Sequence, residues 1–143
     1  MTLQELQQRF PGASLETWSQ HPNGGGWVQC TAHVDTTAYV GFGAIVSGSA
    51  QVSGFAQVSG FARIFGETWE ISPLQIQGTH HFVNVADHGV LQIGCIKGSI
   101  EWWKEHHRAI GRKERYSPAQ IKEYRNYIEL ARVWMRIHSK GGS

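Results

Sequence analysis

From Val28 the chain sets a β-branched residue at every sixth position and a small one four places on: VQCTAH, VDTTAY, VGFGAI, VSGSAQ, VSGFAQ, VSGFAR and IFGETW. The first place is Val six times and Ile once, and the fifth is Ala six times and Thr once. A period kept at two positions through seven units is an internal repeat, and it outranks local propensity as a guide to the fold. β-Branched side chains suit a pleated surface, while Gly and Ser between them let the chain turn sharply. The Val and Ala places should point inward, and Phe42, Phe55, Phe61 and Phe65, which fall between them, should point outward. Exposed aromatics need a cover, and a second subunit is the first choice.

Outside the repeat the pattern changes period. TLQELQQRF places Leu3, Leu6 and Phe10 at helical spacing before Pro11-Gly12. A short turn at Ser14, with Leu15 and Trp18, follows; HPNGGGW then reads as a mobile lead-in. These first elements are expected to plug the lower end of the repeat. After Pro73 the segments LQIQG, HFVNV and VLQIG predict three antiparallel strands, the last two joined through ADHG. Ser99 should cap a helix over residues 100–110, ended by Gly111. Ser117-Pro118-Ala119-Gln120 is a capping box opening a helix to about His138, with Ile121, Tyr124, Ile128, Ala131 and Met135 as its buried stripe. The tail SKGGS reads as linker and is set aside. The expected organisation is an N-terminal cap and lead-in (1–27), the repeat (28–69), and a module of strands and two helices (73–138).

The seven hexads resemble the hexapeptide-repeat proteins, whose chains wind as a left-handed parallel β-helix with three hexads per turn. The resemblance implies a fold that is mainly β with α: about two turns of β-helix, a small antiparallel sheet and two C-terminal helices. It also implies a homotrimer. At 18 residues per turn, His33, Gln51 and Trp69 should form one outer column, and Trp27, Ile45 and Arg63 a second, with Phe61 above Gly43. The succession of a brief repeat, PLQIQG, LQIGC and EYRNYIELA is more narrowly similar to small phage and prophage proteins. That likeness implies interference with a host system, in the host cytoplasm.

Composition adds one asymmetry. The 143 residues carry a net charge of +2, yet residues 1–96 hold two basic side chains (Arg9, Arg63) against six acidic, and residues 97–143 eleven against five. The C-terminal third is therefore +6, which favours an anionic partner. No stretch approaches the length of a membrane span and no secretory signal is visible, so a cytoplasmic protein without membrane contact is expected. Cys30 and Cys95 match no metal spacing and read as reduced core thiols.

Candidate chemistry is sparse. Acyl transfer, the activity of many hexapeptide proteins, needs a positioned general base, and the repeat offers only His33, with no long loop to form an acceptor pocket. The adjacent pairs His80-His81 and His106-His107 point apart in a regular strand or helix, so no metal and no cofactor is expected. No P-loop or nucleophile elbow occurs, and a recognition helix for nucleic acid is missing. Binding reads better than catalysis. EWWKEHHRAIGRKERY gathers aromatic and basic residues that stack on bases and pair with phosphates. The predicted ligand set is Arg63, His80, His81, Trp103, His107, Arg108, Arg112 and Tyr116. Trp103 also falls at core spacing, with Ile100, His107 and Ile110. The expected function is sequestration, at subunit interfaces, of a small phosphate-bearing, nucleotide-derived host immune signal; the alternatives are the blocking of a host defence protein and, behind that, acyl transfer.

Overall fold

A computed structural model describes residues 1–138, which divide into two compact units, Met1–Pro73 and the part from Leu74 onward. The fold is mixed α/β, with three helices and several sheets, some of them parallel. The linker reading of residues 139–143 lies outside the described residues.

The first unit opens with α1 (Leu3–Arg9), capped by Thr2, whose hydroxyl accepts from the Glu5 amide. Leu6 is fully buried with Ala13, Trp18, Trp27 and Ile45. Burying such a leucine stabilises by about 1.5–3 kcal/mol. Trp27 and Ile45 are the lower members of one outward column, so α1 covers a side of the repeat and does not plug its end. The turn at Ser14 runs into a strand, β1 (Trp18–Gln20), which pairs antiparallel with β2 (Trp27–Gln29). The glycine-rich lead-in is bonded in place: Gly26 N–H donates to Val40 O (2.9 Å) and Val40 N–H to Asn23 O (3.0 Å). His21, buried, and Asn23 both bond Ala38 O. That segment thus takes the hydrogen-bonding edge the repeat would otherwise expose.

Seven two-residue strands follow: β3 (His33–Val34), β4 (Tyr39–Val40), β5 (Ile45–Val46), β6 (Gln51–Val52), β7 (Gln57–Val58), β8 (Arg63–Ile64) and β9 (Thr68–Trp69). They pair in parallel across every third strand, as β2-β5-β8, β3-β6-β9 and β4-β7. The chain thus visits three sheets in rotation. Val40, Val46, Val52, Val58 and Ile64 are buried, as are Ala38, Ala44, Ala50, Ala56 and Ala62. The inward places read from the sequence hold. Gly48, Gly54 and Gly60, third in their hexads, sit at φ of 62°, 63° and 58°, the left-handed region that lets each corner turn.

The last hexad departs from the period. Gln51 pairs with Thr68 and Val52 with Trp69, an offset of 17 residues where the earlier pairs keep 18. One residue is missing from this turn, Glu67 takes a positive φ of 72°, and Trp69 moves from the outer column into the inward line of half-buried Val34 and buried Val52. Its indole N–H donates to Gly66 O at 2.9 Å. The large ring fills the end of the stack where a valine would leave a void.

The second unit is a four-stranded antiparallel sheet with two helices. β10 (Gln75–Gln77), β11 (Phe82–Asp87) and β12 (Val90–Ile93) match the three predicted strands, and β13 (Ile96–Gly98) is a fourth. β13 escaped notice because Ile96 is its only apolar member. Ser99 caps α2 (Ile100–Lys113), accepting from the Trp102 amide at 3.1 Å. The helix runs past Gly111, which is buried because a side chain there would crowd Tyr116 and Ile121, each about 3.1 Å from an added Cβ. The stop is a Schellman turn on Arg115 (φ 62°): Tyr116 N–H bonds Gly111 O, and Arg115 N–H bonds Arg112 O. The predicted capping box is present, with Ser117 and Gln120 bonding each other's amides. It opens α3 (Pro118–His138), which buries Tyr124, Ile128 and Ala131. Cys30 and Cys95 are free but exposed, so neither is the core thiol expected from the sequence.

Candidate functional site

Two groups of side chains in the second unit have the make-up of a site. They flank the same stretch of α2, and His107 borders both.

The first lies where the bend between β10 and β11 meets the ends of α2 and α3. Gly78 lets the Tyr124 hydroxyl come close; an added Cβ would sit 2.4 Å from that oxygen. Tyr124 Oη accepts from the amides of His80 (2.9 Å) and His81 (2.5 Å) and donates to His81 O (2.8 Å). One hydroxyl therefore fixes the backbone of both histidines. The Schellman turn swings Tyr116 against them, its hydroxyl 2.5 Å from His81 Nδ1 and its ring on Tyr124 at 4.8 Å. Burial, and then the neighbouring Tyr124, push the Tyr116 phenol well above its ordinary range, so it stays protonated. Burial and the adjacent His80 hold the His81 imidazole below its usual value, against the pull of Glu114. Glu114 caps α2 beside them, and one ligand atom from each of His80, His81 and Glu114 lies within 4.8 Å of the others.

A second carboxylate straps this corner. Glu123 accepts from the Thr79 amide (3.0 Å), the Thr79 hydroxyl (2.5 Å) and the Tyr127 hydroxyl (2.7 Å). Burial would raise its carboxyl, but the bonds from Thr79 and Tyr127 outweigh it and hold the group below its ordinary value. Tyr127 is pushed up to about 12, chiefly by its bond to that carboxylate. Behind the histidines is a small cavity with about 20 Å³ of room, bordered by His81, Cys95, Trp103, His107, Glu114 and Tyr116 among others. That volume suits one water molecule.

The second group is a cleft of about 380 Å³ between α2 and α3, lined by Lys104, His107, Arg125, Asn126, Ile128 and Glu129. His107 Nδ1 donates to Trp103 O (3.0 Å) and Lys104 O (3.2 Å). Its Nε2 is buried and has no hydrogen-bond partner. Glu129 is bonded by Arg132, whose guanidinium holds the carboxyl below its ordinary value with smaller help from Lys104 and Arg136; the cations that line the cleft are Lys104 and Arg125.

The residues predicted from the sequence separate accordingly. His80, His81 and Tyr116 meet as described. Trp103 is 2% exposed and its indole N–H donates to Leu91 O at 2.9 Å, so it is a wall and offers no face for stacking. Arg108 and Arg112 are exposed on α2 and line neither cavity. Arg63 belongs to the first unit, in register with Ile45 on β8. Lys104, Arg125 and Glu114 were missed. Lys104 sits within the basic run that was singled out, whereas Arg125 is brought to it only by helix packing. The argument against paired histidines assumed a regular element; His80 and His81 stand in a bend, and their rings lie 4.3 Å apart.

In the first unit Phe42 and Phe61 are each 59% exposed and Phe55 82%, whereas Phe65 is half-buried. Phe61 lies over Gly43 as the repeat implied. Phe42, Phe61 and Tyr39 border a shallow groove of about 430 Å³ that Gly41, Gly43 and Gly60 also line. His33 is on an exposed edge, its Nε2 bonded to Asp35 at 2.9 Å. No helix is long and apolar enough to cross a membrane among the described residues.

No family model, curated protein or solved structure matches this chain.

Proposed function

We propose that this chain is a binding protein that captures a small anionic ligand of nucleotide type in the cleft between α2 and α3. The observation that carries the reading is the set Lys104, His107 and Arg125 around one opening, which brings two cations and an imidazole together. Cationic side chains supply charge-assisted bonds to phosphate oxygens. A cleft of this size accepts a mononucleotide-sized molecule.

The frame in this proposal is a short left-handed parallel β-helix of the hexapeptide-repeat kind, formed by residues 28–69. The 18-residue register of three parallel sheets supports it. The assembly is a homotrimer held through Phe42, Phe55 and Phe61, because these rings would otherwise face water. The likeness to small phage proteins makes the ligand a host immune signal and the activity sequestration in the host cytoplasm, without catalysis.

Calorimetric titration of the whole protein with cyclic nucleotides, ADP-ribose derivatives and inorganic phosphate tests the site. Lys104→Ala with Arg125→Ala should lower affinity by ~100-fold or more, at about 1.5–3 kcal/mol for each of the two charge-assisted contacts. Arg108→Ala with Arg112→Ala should change it little. Light scattering should give about three times the 16.0 kDa chain mass. Failure of the whole panel, together with a host protein that co-purifies, would replace sequestration by the blocking of a defence protein.

A further inference from the structure

The histidines beside Tyr116 are not used by the anion cleft, and their donor set is of another kind. Two imidazoles and one carboxylate are the ligands that borderline divalent metals prefer, and three protein ligands with one open position are the usual make-up of a reactive zinc site. We propose that His80, His81 and Glu114 bind one divalent transition-metal ion of the zinc class.

Three features make the site more than a chance meeting of polar side chains. The backbone of His80 and His81 is fixed by three hydrogen bonds to a single Tyr124 hydroxyl, so both rings leave the chain in a set direction. The Tyr116 hydroxyl bonds His81 Nδ1 and holds the ring, as second partners of metal-bound histidines do. Glu114 is the capping residue of α2, and its amide bonds Ile110 O and Arg112 O, which anchors the third ligand. The ligand atoms lie within 4.8 Å of one another, whereas tetrahedral ligands at ~2.0–2.1 Å from zinc stand ~3.3 Å apart. Small rotations of the exposed His80 ring and the Glu114 carboxylate close that difference. His80 also gives an ion its path from solvent. The cavity that His81, Glu114 and Tyr116 border has room for one water beside two of the three ligands.

The test is a titration of the metal-free, untagged full chain with Co²⁺, read by visible absorption, followed by displacement with Zn²⁺. One equivalent should bind with the intense visible bands of a four-coordinate ion. His80→Ala and Glu114→Gln should each weaken binding by roughly tenfold or more, because a three-ligand site loses a third of its donors. Neither change should lower the melting temperature of the metal-free protein much, since His80 is exposed in the bend and Glu114 caps α2 through its backbone amide, which the substitution keeps. His106→Ala, whose ring stacks on Trp102, should leave the titration unaltered. Binding of equal strength in His80→Ala and Glu114→Gln would overturn the proposal, as would no binding at 100-micromolar order. A thiolate charge-transfer band abolished by Cys95→Ser, with affinity insensitive to His80→Ala, would assign the ion to the thiol and equally overturn it.

Discussion

The two units bury apolar surface by opposite means. In the repeat of the first, successive hexads each contribute a valine-sized and an alanine-sized side chain, and no single residue dominates that stack. In the second, two large rings, Trp103 and Tyr124, are set among aliphatic side chains such as Val83, Leu91 and Ile128, and each ring is tethered by a polar atom: Trp103 to Leu91 O, Tyr124 to the His80-His81 bend. A repetitive interior made of interchangeable parts is sensitive to the sign of a side chain more than to its size. An interior made of tethered rings is sensitive to each ring. The difference also locates function: the repeat leaves few polar atoms to work with, whereas the tethered rings bring donors and acceptors together as a by-product of packing.

The sharpest way to break the comparison is a charge in the repeat. Val58 is fully buried, in register with Val40 of the preceding turn, and Val58→Asp places a carboxylate there with no partner. The cost should be about 5 kcal/mol, enough to unfold the unit. Val58→Thr, close in volume, should cost ~1–3 kcal/mol by adding one hydroxyl. Hydrogen exchange over residues 28–69, compared with denaturant melts, reads both. Parent-like exchange in Val58→Asp would mean that the inward places are misassigned.

For the second unit the corresponding experiment removes a ring. Trp103→Ala should cost about 3–5 kcal/mol, from lost burial and a cavity. Trp103→Phe should cost less, keeping most of the packing but leaving Leu91 O without its donor, a loss of ~1–3 kcal/mol. If Trp103→Phe were as damaging as Trp103→Ala, the tether and not the filling would be the larger contribution.

The same contrast explains what could be read from the chain alone. The inward phase of the repeat was legible because a period states its own register six times over, and the capping serines at 99 and 117 were legible because caps are local chemistry. The one-residue deletion in the last turn was not, since Thr68 still occupied the small place and Trp69 still counted as sixth. Gly111 misled because a glycine near a helix end usually stops it; here it makes room for Tyr116 and Ile121, which lie beyond the helix. The site was the least legible part. Tyr124 reaches His81 across 43 positions, and Glu114 meets the histidines only once α2 stops at Arg115. No spacing rule connects such residues.

The smallest expected effect concerns the two stitching carboxylates. Asp35 in the repeat accepts from the Gly54 amide one turn on, and Glu123 holds Thr79 across 44 positions. In Asp35 the bond from Gly54 and then that from His33 lower the carboxyl; in Glu123 the bonds from Thr79 and Tyr127 overcome the opposing effect of burial. Each group thus titrates lower in the folded chain than in the unfolded one. Between those two values the unfolded chain binds the proton first, so the contribution is complete above the ordinary carboxylate value and is lost as the pH falls through the folded value. Glu123→Gln should therefore lower the melting temperature modestly at pH 7, and the gap from the parent should narrow as both are taken to pH 3. Asp35→Asn should behave alike but act on the repeat, where the bond spans only adjacent turns and releases less when cut. Unit-resolved hydrogen exchange at the two pH values separates the pair. A gap for Glu123→Gln that stayed constant into acid would show that its hydrogen-bond geometry, and not its charge, secures the bend that carries His80 and His81.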